Sequence, residues 1–146
     1  MSQENVELVR SFHPGPDVDL TRIYREESRW ARASSLLAPH LAQDFKCVLH
    51  GYPGVEGETF EGLAGLRDLW LEWLTPWESY RGEVEEMIDL GDDVLVLAHD
   101  FGRRAGNADS VGGRFAAIWT VRDGKVARIV FWADHEQALK AVGLEE

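Results

Sequence analysis

The sequence predicts an α+β fold, with helices of the first half packed over one face of an antiparallel sheet built from the second. Three observations carry this. Apolar residues recur at helical spacing between Val6 and Phe12 and again between Leu20 and Leu37. Beyond Tyr80 the pattern changes to strand-like runs separated by glycine-containing turns. The longest of those runs are apolar on both faces, as in a sheet covered on both sides.

The elements follow in order. Ser2 is placed to cap a first helix, with Glu4 near its positive end and Val6, Val9 and Phe12 as its apolar stripe. Pro14-Gly15-Pro16 stops it. A second helical region runs from Leu20 to Ala38, with Leu20, Ile23, Tyr24, Trp30, Ala33 and Leu37 on one face, a break expected near Glu27, and Pro39 at its end. Phe45 to His50 alternates as a strand, with Phe45, Cys47 and Leu49 on one side. Gly51 to Gly57 reads as a loop. A third helix spans Leu63 to Leu74, with Leu63, Leu66, Trp70, Trp73 and Trp77 at helical spacing and Pro76 closing it.

The strands Tyr80–Asp89, Val94–Arg103, Arg114–Val121 and Val126–Ala133 come next, two of their turns marked by Gly91-Asp92-Asp93 and Arg122-Asp123-Gly124. Asp134 caps a closing helix, with Gln137 three residues on and Gly143 at its end. Pairing the two longest strands with Asp100 opposite Phe115 sets Ala98 against Ala117 and Val96 against Trp119. One face then carries Val94, Val96, Ala98, Asp100, Phe115, Ala117 and Trp119; the other carries Leu95, Leu97, His99, Phe101, Arg114, Ala116 and Ile118. The first-half helices can cover one of these faces and leave a pocket. The other calls for a second layer, and a homodimer through that outer face is the expectation.

Composition bounds the function. A chain of 146 residues fits a single domain spanning 1–146, and 45% hydrophobic content with six tryptophans fits a packed globule. A formal net charge of −11 opposes binding to nucleic acid or to an anionic membrane surface, both of which need a basic footprint. The lone cysteine, Cys47, forms no intrachain disulfide and reads as a buried thiol. No apolar run approaches the ~18 residues of a membrane span. The opening Met1-Ser2-Gln3-Glu4-Asn5 lacks the features of a signal peptide, so a cytoplasmic location is expected. Histidines 13, 40, 50, 99 and 135 show no ligand spacing, so no metal is expected.

Several segments resemble one family. They are Met1-Ser2-Gln3-Glu4-Asn5-Val6-Glu7, Phe60-Glu61-Gly62 before the Leu/Trp-rich helix, Ile88-Asp89-Leu90-Gly91-Asp92-Asp93-Val94-Leu95-Val96-Leu97, and Ile118-Trp119-Thr120-Val121-Arg122-Asp123-Gly124-Lys125-Val126. In order and spacing the chain resembles SnoaL-like (polyketide cyclase-like) proteins of the nuclear transport factor 2-like superfamily, over nearly its whole length. It departs between His13 and Pro39, where a Pro-Gly-Pro loop and a longer helical region replace the compact turn common in the family. The resemblance implies a cone-shaped fold in which three helices cap a curved sheet, usually as a dimer. It also implies cofactor-free chemistry in the catalytic members, which include cyclases, isomerases, dehydratases and hydrolases; other members have no known activity.

Carried over residue by residue, the resemblance removes most of that chemistry. Leu49 stands where ketosteroid isomerases place a general-base Asp, Ala117 where they hold a protonated Asp, and Ser11 where they place a Tyr. Phe131 takes the position of the acid on the final strand. The Arg-x-Asp of epoxide hydrolases becomes Ala98-His99-Asp100, keeping only the Asp. Asp100 is thus the catalytic candidate. Apolar neighbours would penalise its charge and make it a usable base or acid, unless Arg103 or Arg104 pins it at a rim. The expected ligand-binding residues are Leu49, His50, Tyr52, Trp70, Phe115, Ala117, Trp119, Ile129 and Phe131, with His50 and Tyr52 as further polar groups at the mouth. Two readings stay open: a cofactor-independent enzyme using Asp100, or a non-catalytic domain holding a small apolar molecule.

Overall fold

A computed structural model describes residues 2–51 and 57–144, with only the backbone of Ser2. The side chain of Ser2, expected as a cap, and Tyr52 therefore lie outside what is described. Helix α1 (Ser2–Ser11) buries Val6 and Val9 against the sheet. Helices α2 (Leu20–Arg25) and α3 (Glu27–Leu37) break at Glu26, whose backbone is extended. A short 3-10 turn (Ala38–His40) leads into β1 (Leu41–His50), where Phe45, Cys47 and Leu49 face inward as the alternation requires. A short β2 (Thr59–Glu61), which the sequence did not announce, pairs with β1. Helix α4 (Gly62–Leu74) follows, then β3 (Trp77–Asp89), β4 (Asp93–Arg104), β5 (Val111–Arg122), β6 (Lys125–Trp132) and α5 (His135–Ala141).

The six strands form one curved sheet in the order β2-β1-β6-β5-β4-β3. It is not wholly antiparallel. β1 and β6 run parallel, with Cys47 beside Ile129 and Leu49 beside Phe131. Register irregularities in β3, near Trp77 and near Glu85, bend this edge strand.

The β4–β5 register also differs from the expected one. Ala98 lies opposite Phe115, Asp100 opposite Gly113 and Val96 opposite Ala117, a slip of two residues. Because side chains alternate with period two, this slip keeps every residue on its expected face while changing its neighbour.

The inner face holds the main core, where Phe45, Leu66, Leu69, Val94, Val96 and Ile129 meet α1 and α4. Polar contacts fix α2 over it. Arg25 Nη2 donates to the carbonyls of Leu74 and Trp77, and Arg67 Nε donates to the carbonyl of Tyr24. On the outer face, α5 packs on Leu95, Leu97, Ala116 and Ile118 through Ala138, Leu139 and Val142. This helix covers that part of the outer face from within the chain. Asp134 Oδ1 accepts from Gln137 N at 2.8 Å. Gly143 (φ +78°) closes α5, with Leu144 N bonded to Leu139 O and Gly143 N to Lys140 O. Among the described residues no helix is long and apolar enough to cross a membrane.

Candidate functional site

Between the helices and the inner face lie two spaces. An inner cavity of about 90 Å³ is bounded by Phe12, His13, Leu20, Tyr24, Leu37 and Leu66 from the helical side. From α4 and the sheet come Trp70, Ala98, Phe115, Ala117, Trp119, Ile129 and Phe131. Beyond Phe115 a wider groove of about 390 Å³ opens at one end of the sheet. Gly51, Trp73, Trp77, Tyr80, Asp100, Gly102, Gly113 and Ala133 line it. Phe115 belongs to both walls.

Asp100 sits in the groove rather than in the inner cavity, and is only 8% exposed. Its partner is Tyr80, whose hydroxyl donates a hydrogen bond to Asp100 Oδ2. Tyr80 is 2% exposed, ringed by Trp70, Trp73 and Trp77 with centroids 6.0–6.3 Å away. Its backbone N–H donates to Asp19 Oδ1 at 3.1 Å, and the same oxygen accepts from Thr21 N and Thr21 Oγ1. One carboxylate thus caps α2 and ties it to the strand that carries Tyr80.

Two glycines make room. A Cβ on Gly113 would stand 2.7 Å from Asp100 Oδ1, and one on Gly102 would stand 2.4 Å from the Trp77 ring. Trp77, expected on the α4 stripe, instead opens β3 and lies over Gly102. The arginines considered as partners for Asp100 are engaged elsewhere. Arg103 pairs with Glu78 at 3.2 Å, and Arg104 lies over the Trp77 ring.

The other expected site residues divide. Trp70, Phe115, Ala117, Trp119, Ile129 and Phe131 come together around the inner cavity. Leu49 is buried beside a smaller void with Leu69, Trp73 and Tyr80. His50 does not reach the mouth. It stacks on Trp132 at 4.8 Å and lines a groove on the outer face with Val48 and Val130, because it shares the outward parity of Val48.

Two groups escaped the sequence reading: Tyr80, taken only as the start of a strand, and His13. His13 Nδ1 lies 2.8 Å from the carbonyl of Val9, one helical turn back. Burial pulls its pKa below the ordinary 6.5; the backbone hydrogen bond opposes this and nearby Arg10 adds to it. Burial likewise pushes the Tyr24 phenol upward and the Cys47 thiol up to about 12, so both stay protonated at neutral pH. Among the described residues no three His, Cys, Asp or Glu side chains are placed to hold a metal ion.

Residues 26–129 match the sequence profile of the SnoaL-like domain. The chain belongs to the SnoaL-like domain family. Solved structures share its fold. A candidate SnoaL-like polyketide cyclase from Jannaschia sp. CCS1 is 16% identical with a TM-score of 0.66, over 99% of this chain and 94% of that one. TerC, co-crystallised with polyporic acid, is 21% identical with a TM-score of 0.63, over 96% and 98%. A nuclear transport factor 2-like protein of unknown function from Burkholderia pseudomallei K96243 is 18% identical with a TM-score of 0.64, over 95% and 97%. No curated protein matches the chain.

Proposed function

We propose that this SnoaL-like domain is a cofactor-independent enzyme acting on a small, flat, largely apolar molecule held in the groove, with Asp100 as its acid/base. One observation carries the reading: a buried carboxylate hydrogen-bonded to a buried phenol on the floor of an apolar groove. Proton transfer at carbon needs a carboxylate away from bulk water and a donor that follows the changing charge. Tyr80 is that donor. Its hydrogen bond occupies Oδ2, and Oδ1 lies toward Gly113, where the absence of a side chain leaves space beside it. Trp73, Trp77 and Phe115 offer faces for a ring to lie against.

Polyporic acid, present in the TerC crystals, is a reasoned first probe because the two chains share a fold. The test adds polyporic acid and related cyclic carbonyl compounds to wild type and to Asp100→Asn, following product by mass spectrometry and binding by tryptophan fluorescence. The proposal expects binding by both proteins and conversion of at least one compound by the wild type alone. Equal conversion by the two proteins would remove Asp100 from the chemistry. Binding without any conversion would favour the second reading, a carrier domain, which the largely apolar inner cavity supports.

A further inference from the structure

The two helices between Pro16 and Pro39 are held very differently. Helix α2 buries Leu20 and Thr21, is tied to β3 through Asp19, and is clamped by Arg25 to the carbonyls of Leu74 and Trp77. Helix α3 is longer, at 11 residues, yet none of them is buried. It packs chiefly against α2 and the turn that follows it. A helix of this length does not hold itself in water, and tertiary burial normally makes up the deficit. Its N-cap, Glu26, makes no side-chain bond to the helix. Ser34 and Ser35 both donate back to the carbonyl of Ala31, which weakens the helix further. Arg67 of α4 reaches it in two places: Nη2 lies 2.8 Å from Glu27 Oε1, and the guanidinium lies over the Trp30 ring at 5.6 Å. The Glu27 carboxylate is exposed, so that ion pair contributes little.

We infer that α3 is a lid on the inner cavity, turning about the extended Glu26 and the 3-10 turn of residues 38–40 while α2 stays in place. The helix contributes Leu37 to the cavity wall. Its Trp30 also covers Tyr24, 5.5 Å between ring centroids, and Tyr24 is a second wall residue, stacked on Trp70. Lifting α3 removes the first and uncovers the second, so the cavity opens on its helical side without disturbing the sheet. Elements with few buried contacts open locally at low free energy, and lids are drawn from them. Arg67 is the latch. Its Nε donates to the carbonyl of Tyr24, so it stays with α2 when its contacts to Glu27 and Trp30 break. The inference concerns access to the inner cavity and needs no chemistry at Asp100, so it and the proposed function can fail separately.

Native-state hydrogen exchange on the whole chain reads the opening directly. After correction for intrinsic rates, amides 31–37 are expected to exchange at least about tenfold faster than those of α4, through an opening that low urea barely changes because it exposes little surface. Trp30→Ala should speed α3 exchange about fivefold more, the two lost ring contacts being partly offset by alanine's better helix propensity, and leave α4 unmoved. Xenon, a single apolar atom that enters small apolar cavities, then reports access. Its exchange rate, read from the methyl resonances of Leu66 and Ile129, should rise in Trp30→Ala by the same factor. Protection of α3 equal to that of α4 in the wild type would overturn the lid, with no variant needed. Xenon exchange left unchanged in a Trp30→Ala protein whose α3 opens more often, or no xenon uptake at all, would overturn its assignment to the cavity.

Discussion

Replacing Tyr80 by phenylalanine removes one oxygen atom and keeps the ring among Trp70, Trp73 and Trp77. What is lost is the donor to Asp100, and both groups are almost fully buried. Hydrogen bonds to charged groups contribute about 1.5–3 kcal/mol, and the partner left behind bears the cost of being unpaired. Tyr80→Phe is therefore expected to destabilise the protein by about 1.5–3 kcal/mol. For a chain of this length that corresponds to a fall in Tm of about 3–12 °C. The assignment to this one bond is checked by a double-mutant cycle with Asp100→Leu, in which an apolar side chain replaces the carboxylate. In that background Tyr80→Phe should cost less than about 0.5 kcal/mol, since no buried acceptor remains to be stranded. Urea unfolding followed by tryptophan fluorescence reads all four proteins. An equal cost of Tyr80→Phe in both backgrounds would refute the reasoning, because the hydroxyl would then act through something other than Asp100.

Asp19→Ala removes a helix cap and also strands the Tyr80 N–H. It is expected to cost about 2–4 kcal/mol in urea unfolding, more than the roughly 1 kcal/mol of an ordinary cap, with Asp19→Asn recovering most of it; a cost near that of an ordinary cap would argue against the link to β3. His13 makes a prediction about pH. Its native pKa lies below the unfolded value of 6.5, so below that pH the unfolded chain takes up a proton that the native protein resists. Wild-type stability should therefore fall relative to His13→Gln as pH drops below 6.5, the exposed carboxylates cancelling between the two proteins; parallel pH curves would contradict this.

Much of the fold could be read from residue pattern alone, and the exceptions have physical causes. Period-two alternation assigned every β4 and β5 residue to its correct face, yet alternation is blind to a shift of two. The neighbour of Asp100 thus became Gly113 instead of Phe115, and a carboxylate expected in the inner cavity stands in the groove beyond it. Tyr80 was hidden because the irregular stretch near Glu85 breaks the parity that would have placed it on the inner face. The caps Asp134 and Gly143 located α5, but nothing in them said that it docks on Leu95 and Ile118. For His13 the available signal was its position four residues after Val9 at a helix end, where a side chain turns back to a free carbonyl. Nothing in the pattern of either strand announced that β1 would run parallel to β6, since alternation carries no information about a neighbour's direction.

That parallel pairing has a consequence for how the molecule comes into being. β6, the last strand in sequence, is inserted between β1 and β5 near the middle of the sheet. Until residues 125–132 have left the ribosome, β1 carries an open edge and the two halves of the sheet have no bond between them. Closure then joins segments some eighty residues apart, as Leu49 with Phe131, a costly loop to order before its contacts are gained. The sheet that forms the floor of both spaces is therefore a late event in folding, and the helices packed on it wait for its final strand.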